Sequence, residues 1–246
     1  MLVSLDCIAL RMVRYNDRTS ILTVYTRQRG RMSLAVPASS SRAAARVRAL
    51  VQPMALFECS VDMRPDREIQ TPRGIRSLVL PPSGNPLGAV QAMFSADLLS
   101  GLLRETQPDP ALFSYLEHAA EILTAATSAP GGSPLLANYH IALMLGLTRL
   151  TGIEPDWSTY TPGCVFDMAD GVFRHYQPAH TLFLPAREAE AAYRLRRMTF
   201  ANAARWRFGR ADRNLIVDRL TAYYQIHFTA LKSLFSTEVL RYTFDF

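Results

Sequence analysis

The sequence changes its hydrophobic period at one proline- and glycine-rich stretch, "PPSGNPLG" at 81–88. Before it, short apolar runs separated by turn residues are typical of β-strands, and after it apolar residues recur at helical spacing. Three prolines and two glycines in eight residues interrupt both patterns, so we interpret 81–88 as a linker. The chain is therefore predicted to be an α+β protein, with a β module at 1–80 and a mainly α-helical C-terminal domain at 89–246.

The first 80 residues predict five strands. These strands cover 3–13, 21–28, 32–38, 52–63 and 69–81, the last interrupted at Pro72 and Gly74. The stretch "SSSRAAARVRA" at 39–49 has no clear period, and we predict a loop there, with room for a short helical piece. Five short strands with one long connection between the third and the fourth match a small barrel. The OB-fold is the best-known five-stranded example, and it commonly binds single-stranded nucleic acid.

The helical domain begins with two predicted helices at 89–106 and 110–126. The next segment, 135–152, is apolar on nearly all sides, which indicates a central buried helix. Residues 153–184 contain prolines and glycines and are predicted to be an irregular insertion. The last helices are expected within 186–203 and 213–240.

The positive charge of the chain is concentrated in the β module. Residues 1–80 contain 13 Arg and 6 Asp or Glu, whereas 81–246 contain 14 Lys or Arg and 15 Asp or Glu. A basic module attached to a near-neutral body is typical of a polyanion-binding protein, although a merely solvated basic surface gives the same counts.

Arginines cluster at the predicted turns and on the long connection of this module. Arginine pairs bidentately with phosphate and stacks on bases, and Tyr15 is a candidate stacking partner. Nothing in the pattern would read a base sequence, so we predict salt-sensitive binding of single-stranded DNA and, as a second ligand, double-stranded DNA. The predicted DNA-binding residues are Arg14, Arg27, Arg29, Arg31, Arg42, Arg46 and Arg48.

A second basic segment, "YRLRRMTFANAARWRFGRADR" at 193–213, interleaves arginines with aromatic residues. It is either a solvated helix face anchored by its aromatic side chains or an anion site for DNA or an acidic peptide. The only lysine of the chain, Lys232, follows in the triplet "LKS". Lys232 has two interpretations. In the structural one its ammonium group caps a helix or pairs with a carboxylate, and in the functional one it anchors an acidic partner.

One stretch of the sequence contains a cluster of side chains that could bind a metal or act in catalysis. The chain has no glycine-rich phosphate loop, no Gly-x-Ser-x-Gly and no dinucleotide fingerprint. In "CVFDMADGVFRHYQPAH" the potential metal ligands are Cys164, Asp167, Asp170, His175 and His180. No Cys-x-x-Cys pair accompanies them, and "FDMADGVF" also predicts two short strands around an Asp-Gly turn. We therefore expect no catalytic residue, metal or cofactor.

The three cysteines and the N-terminal residues indicate the cellular compartment of the protein. Cys7, Cys59 and Cys164 are few and far apart, which favours a reducing cytoplasm. Asp6 and Arg11 interrupt the apolar run of a signal peptide, and no run approaches the roughly 18 apolar residues of a membrane span. We predict a cytoplasmic protein without a membrane partner.

The order of these parts resembles the bacterial recombination mediator family RecO. The similar stretches are "IALRMVRYNDRTSILTVYTRQRGRMSLAV" (8–36), Gln52-Pro53, 108–123, 137–156 and Leu231-Lys232-Ser233. The resemblance implies a non-enzymatic, nucleoid-associated protein that binds and anneals single-stranded DNA. It also implies that the protein, with RecR, helps load RecA onto strands coated by single-strand-binding protein.

The resemblance further implies that the acidic, Phe-ended tail of single-strand-binding protein docks on the helical domain. For this contact we assign Arg194, Arg197, Phe200, Arg205, Trp206 and Lys232. Two departures stand out: many relatives carry a four-cysteine zinc site where this chain has only Cys164, and their Ala-Lys-Gly-Ala-Arg is replaced by a lysine-free stretch that keeps Arg42. The alternatives are a metal-dependent hydrolase at 164–180 and a helical adaptor with an incidental basic module.

Overall fold

The computed structural model describes residues 2–64, 66–79, 84–104, 106–130, 133–231, 234 and 236–243. The strands within these ranges are β1 (Leu2–Arg14), β2 (Thr19–Thr26), β3 (Gly30–Pro37), β4 (Leu56–Asp62), β5 (Ile69–Gln70), β6 (Pro72–Val79), β7 (Val165–Asp167), β8 (Val172–Arg174) and β9 (Phe183–Leu184). The helices are α1 (Arg42–Leu50), α2 (Pro86–Leu102), α3 (Pro110–Ser128), α4 (Tyr139–Leu150), α5 (Ala186–Leu195), α6 (Arg210–His227) and α7 (Ser236–Thr243). None of these helices combines the length and the apolar character needed to cross a lipid bilayer.

Contacts along the backbone divide the chain into two compact units. The first contains residues 1–136 and 233–246, and the second contains 137–232. Helices α2, α3 and α7 therefore group with the N-terminal sheet. The division at 81–88 stays a prediction; α2 begins within that segment, at Pro86, and residues 80–83 lie outside the described ranges.

The first unit is built on one curled six-stranded sheet, an OB-like barrel. Its strand order is β5-β3-β2-β1-β4-β6, with antiparallel neighbours except for the parallel pair of β3 and β5. The two edge strands are separated in the chain by Thr71 alone, so the edges meet and the sheet must curl. The interruption predicted at Pro72 is where the fifth predicted strand divides, because proline cannot donate to the ladder. The expected OB-like sheet followed by a mainly helical region is confirmed.

A β-bulge in β1 decides which side chains enter this barrel. Up to Ala9, which pairs with Val24, the odd-numbered residues of β1 lie inside. The next pair is Arg11 with Thr23, which leaves Leu10 as the extra residue of a bulge. Because of the bulge, Arg11 lies on the outer face and is exposed, whereas unbroken alternation would have placed it in the core.

Helix α1 lies in the stretch 39–49, where the sequence predicted a loop with room for a short helical piece. Residues from Arg42 onward form a nine-residue helix, so the helical piece takes up most of this stretch. Alanine and arginine are strong helix formers, and the side chain of Ser41 accepts the backbone N–H of Ala44 at 3.2 Å as an N-cap. Because this stretch has no hydrophobic period, the sequence did not indicate how long the helix would be.

Helices α2 and α3 cross closely within the first unit. A Cβ added at Gly88 would lie 2.3 Å from the Thr127 Oγ1, so the absence of a side chain there permits the approach. At the other end of α2, the Ser236 hydroxyl donates to Asp97 Oδ2 at 2.8 Å and holds the start of α7.

The second unit surrounds the predicted central helix. Residues 139–144 of α4 are all buried, and the Tyr224 hydroxyl of α6 donates to the Met144 carbonyl at 2.7 Å. The insertion contains a small sheet in the order β8-β7-β9. Strands β7 and β8 confirm the predicted hairpin, whereas β9 was not predicted. Helix α5 ends at Leu195 and α6 at His227, earlier than the apolar pattern indicated.

The three cysteines are buried and free. Cys7 and Cys59 lie on neighbouring strands inside the barrel, with their sulfur atoms 3.9 Å apart. Cys164 lies in the hydrophobic core of the second unit.

Candidate nucleic-acid interface

The turn between β1 and β2 presents arginines and one aromatic ring. Asn16 shapes the turn, because its side-chain oxygen accepts the backbone N–H of Arg18 at 2.9 Å. Arg14 is exposed and pairs with Asp17 at 2.9 Å. Tyr15 is 69% exposed. A base can stack on such a ring while phosphates contact the arginines.

The turn between β2 and β3 presents Arg29. The Thr26 hydroxyl donates to the Gly30 carbonyl at 2.9 Å and accepts the Arg29 N–H at 3.0 Å. Gly30 has φ +62°, a left-handed conformation that glycine adopts without strain. Arg29 is exposed, and no ion pair of its side chain occurs within the described ranges.

Arg27, before this turn, is surrounded by protein groups. Its Nε lies 3.3 Å from Asp6 Oδ2, its Nη2 lies 2.6 Å from Glu117 Oε2, and its Nη1 donates to Ser114 at 3.4 Å. Its guanidinium carbon lies 4.4 Å from the centre of the Phe113 ring. The hydrogen bond to Glu117 raises the pKa of Arg27 against the effect of burial. Arg27 thus ties β2 to α3.

Arg31, after the turn, has neutral partners. Its Nη1 donates to the carbonyls of Ser100 and Leu103 at 2.8 and 2.7 Å, at the C-terminal end of α2. Those carbonyls have no partner within the helix, so Arg31 caps it. Burial lowers the pKa of Arg31, and the positive charges of Arg104 and Arg11 lower it further.

Helix α1 carries the remaining predicted arginines. Arg42 and Arg46 are four residues apart, so they share one helix face, and both are exposed. Arg48 turns back and donates to the Ser39 carbonyl at 2.8 Å. The start of this segment adjoins the first hairpin, because the Ala38 N–H donates to the Arg18 carbonyl at 2.9 Å.

The seven predicted arginines therefore fall into two groups. Arg14, Arg29, Arg42 and Arg46 are exposed, whereas Arg27, Arg31 and Arg48 are partly buried and donate to protein groups. The assignment of all seven to DNA stays a prediction.

Sequence reasoning did not single out the arginines around the connection from β4 to β5. Arg64 and Arg67 in this connection, and Arg73 on β6, are exposed. In OB-folds the loops after the first and the fourth strand both contact oligonucleotides. The sequence "PDRE" at 65–68 separates the two predicted strands here, and the arginines in and around it were the signal that could have found the site.

In the second unit, the basic and aromatic segment divides between surface and core. Its exposed arginines include Arg194, Arg197 and Arg205. Phe200 is buried and stacks on Tyr139, with the ring centres 5.2 Å apart. Trp206 is half-buried and donates its Nε1–H to Asn202 at 3.2 Å. The aromatic side chains anchor the segment, and Lys232 lies outside the described residues.

An apolar pocket with a cavity volume of about 100 Å³ lies in the second unit, among α4, α5, α6 and the small sheet. Its lining includes Leu145, Trp157, Phe166, Leu195, Leu215 and Tyr223. The charged lining residues Glu188 and Arg219 pair with each other at 2.7 Å. The sequence did not predict this pocket, because its walls come from separate segments of the chain.

The cluster at 164–180 is arranged as a polar network. Asp167 lies 3.0 Å from Arg174 Nε and 3.3 Å from His180 Nε2. Burial alone would raise the pKa of Asp167, but hydrogen bonds from the Asp170 N–H and from Arg174 outweigh it and lower the pKa. Throughout the described parts of the chain, no group of three or more His, Cys, Asp or Glu side chains is placed to hold a metal ion.

Comparison with known proteins gives two family matches. The model described as "Recombination protein O N terminal" matches residues 1–78, and "Recombination protein O C terminal" matches 88–234. Similar proteins include the DNA repair protein RecO of Phocaeicola vulgatus, 31% identical with 97% of each chain covered. Those of Azobacteroides pseudotrichonymphae and Porphyromonas gingivalis are 27% and 28% identical, with 100% of each chain covered. The two matches together span nearly all of the barrel and of helices α2 to α6, and the chain belongs to the recombination protein O (RecO) family.

Proposed function

We propose that this chain acts in DNA repair as a recombination mediator that binds single-stranded DNA on its curled N-terminal sheet. The observation that carries the proposal is the set of exposed arginines on two hairpin turns and α1, namely Arg14, Arg29, Arg42 and Arg46. Phosphate contacts of this kind dominate the affinity for DNA without reading sequence. The printed name of the relatives, DNA repair protein RecO, supports the role in repair.

In this proposal the protein anneals complementary strands and, with RecR, helps load RecA onto strands coated by single-strand-binding protein. Arginine contacts to phosphate also accept double-stranded DNA, because both forms present the same backbone charge. The protein holds and exchanges strands without catalysing a covalent change, in the cytoplasm and at the nucleoid.

The acidic, Phe-ended tail of single-strand-binding protein is proposed to dock on the second unit. The apolar pocket there suits a phenylalanine ring, and exposed Arg194 lies at the end of α5, next to the pocket residue Leu195. Arg197 and Arg205 offer further positive charge to acidic residues of the tail. Phe200 and Trp206 support this surface from below, since one is buried and the other half-buried.

Fluorescence anisotropy of a labelled oligonucleotide across a salt series tests DNA binding. Each phosphate contact to a single strand contributes about 0.7 to the slope of log K against log salt. Replacement of Arg29, Arg42 and Arg46 by Ala should therefore lower the slope by about 2. The control replaces three exposed arginines outside this set, Arg76, Arg149 and Arg187. Absence of binding by the wild type at low salt would refute the proposal.

Binding of a labelled acidic, Phe-ended peptide tests the tail site. Leu215 lines the pocket and Leu182 does not, yet both are 42% exposed. Leu215→Asp should weaken peptide binding about tenfold, because it adds a carboxylate to an apolar wall facing an acidic ligand. Leu182→Asp is the matched control, and equal effects of the two substitutions would contradict the site.

A further inference from the structure

The apolar pocket of the second unit has one ion pair in its wall. Glu188 of α5 and Arg219 of α6 both line the pocket, and their side chains are 25% and 44% exposed. Because the pocket is apolar, the two residues contribute their hydrocarbon stems to the wall, and their charged groups lie toward solvent at its edge. A carboxylate attached to an apolar group in the pocket would therefore arrive at this ion pair.

The arginine of this pair presents two donors side by side. Arg219 Nε donates to Glu188 Oε2 at 2.7 Å, and Arg219 Nη2 donates to Glu188 Oε1 at 3.2 Å. The hydrogen bonding to Glu188 raises the pKa of Arg219 against the effect of burial, and the charge of Asp218 acts in the same direction. Arg219 is thus charged, but Glu188 balances its charge. The same two donors fit any other carboxylate, because the planar guanidinium group binds carboxylates bidentately.

Glu188 can release Arg219 at a low cost in free energy. It lies in the first turn of α5, where the positive end of the helix dipole stabilises a carboxylate. Its side chain is partly exposed, so water can replace the hydrogen bonds that it loses. Ion pairs in such positions contribute little to stability, unlike the cost of separating a buried pair. The pair can consequently open in favour of a second carboxylate.

We propose that Glu188 competes with the acidic, Phe-ended ligand for Arg219, and that this internal competitor sets the affinity and the specificity of the pocket. When the phenylalanine ring enters the pocket, the terminal carboxylate of the ligand takes the place of Glu188 on the two donors of Arg219. A ligand that ends in a neutral amide fills the pocket but does not displace Glu188. This inference rests on the proposed docking of the tail and adds a residue of the chain that opposes it.

Two forms of one labelled peptide test the competition by fluorescence anisotropy. The peptide consists of aspartates and a last phenylalanine, and it ends in either a free carboxylate or an amide. The wild type should bind the carboxylate form about threefold more tightly than the amide form. Glu188→Gln should raise the affinity for the carboxylate form about fivefold, because the competing carboxylate is gone, and change that for the amide form by less than about twofold. Arg219→Gln should abolish the difference between the two forms.

Asp212→Asn is the matched control. Asp212 lies in the first turn of α6, as Glu188 does in α5, and it is exposed and outside the pocket lining. The substitution removes the same charge from the same unit, so both peptide forms should gain equally and by less than about twofold. Thermal melting checks that each variant is folded, and Glu188→Gln tests the proposal even if Arg219→Gln is unfolded.

The outcomes separate this competition from the docking on which it rests. A wild type that binds neither peptide form refutes the tail site and the competition with it. Wild-type binding that Leu215→Asp weakens but Glu188→Gln leaves unchanged refutes the competition alone. An equal gain for both peptide forms in Glu188→Gln, or the same fivefold gain in Asp212→Asn, shows a general charge effect and also refutes the competition.

Discussion

The two arginines that flank the β2–β3 turn lie four residues apart and have opposite surroundings. Arg27 meets two carboxylates, Glu117 and Asp6, which raise its pKa and compensate its charge, and it also packs on an aromatic ring. Arg31 meets two carbonyls and two further arginines, and its pKa is lowered. Adjacent arginines in a sequence therefore do not form one functional cluster. The groups that other elements bring to each arginine decide its role: carboxylates from β1 and α3 at Arg27, and carbonyls from the end of α2 at Arg31.

The largest effect that would test this comparison is on stability. Arg27→Ala removes charge-assisted hydrogen bonds and a cation–π contact and leaves two carboxylates unpaired, so the free energy of unfolding should fall by about 2–3 kcal/mol. Urea denaturation measures it. Arg29→Ala, at an exposed position on the same turn, should change the free energy by less than about 0.5 kcal/mol. Similar losses in both variants would contradict a structural role for Arg27.

Low pH adds a contrast to the two arginines. They are protonated in both the folded and the unfolded chain, whereas a buried histidine can be protonated only after unfolding. His140 is fully buried, and burial, with a smaller effect of Arg213, lowers its pKa to about 3. An unfolded histidine has a pKa of about 6.5, so below that pH the unfolded chain takes up a proton that the folded chain refuses.

The contribution of neutral His140 to the free energy of unfolding should therefore be fully present above about pH 6.5. It should be lost as the pH decreases, by about 2 kcal/mol between pH 7.5 and pH 5. Urea denaturation at the two pH values measures this loss. His140→Leu should remove most of it, whereas the same substitution at exposed His118 should not. An undiminished acid loss in His140→Leu would exclude His140 as its source.

Arg31→Ala should cost less than Arg27→Ala. Two hydrogen bonds to helix carbonyls are lost, but the repulsion from Arg11 and Arg104 is relieved, so we expect a loss of about 1 kcal/mol in the free energy of unfolding. The same urea experiment measures it. A loss as large as that of Arg27→Ala would show that the charges around Arg31 have little effect.

The smallest expected effect is the response of these two losses to salt. Salt screens attraction at Arg27 and repulsion at Arg31 alike. The cost of Arg27→Ala should therefore shrink by a few tenths of a kcal/mol between about 0.05 and 1 M NaCl, and the cost of Arg31→Ala should grow. Urea denaturation at both salt concentrations measures the two costs. If both costs change in the same direction with salt, the charges around Arg27 and Arg31 do not have opposite effects.

Much of the fold follows from local patterns in the sequence. The β-branched runs predicted the strands, and the uniformly apolar segment predicted that α4 is central and buried. At α1 the sequence indicated no more than a short helical piece, because the stability of this helix comes from alanine, arginine and the Ser41 cap, none of which produces a hydrophobic period. The bulge at Leu10 was not predicted either, since residues 7–10 are all apolar and show no alternation that a bulge would interrupt.

The sequence predicted which residue type forms the candidate interface, but it did not predict how these residues are arranged. The sequence placed arginines at turns, and the turn at Gly30 presents exposed Arg29 as expected. It could not predict that Glu117, 90 residues away, would reach Arg27. That contact depends on how α3 packs against the barrel, which is a property of tertiary structure. The pocket of the second unit was inaccessible to sequence reasoning for the same reason.

The buried cysteines give the molecule its own probes of local unfolding. A thiol reacts as a solvent-accessible thiolate, so Cys7, Cys59 and Cys164 can be labelled only while their surroundings are open. Separation of β1 from β4 exposes Cys7 and Cys59 in one event, because they are diagonal neighbours on that strand pair and their sulfur atoms lie 3.9 Å apart. Mass spectrometry can therefore time the two units independently: a gain of two labels together reports opening of the barrel, and a gain of one reports opening around the small sheet.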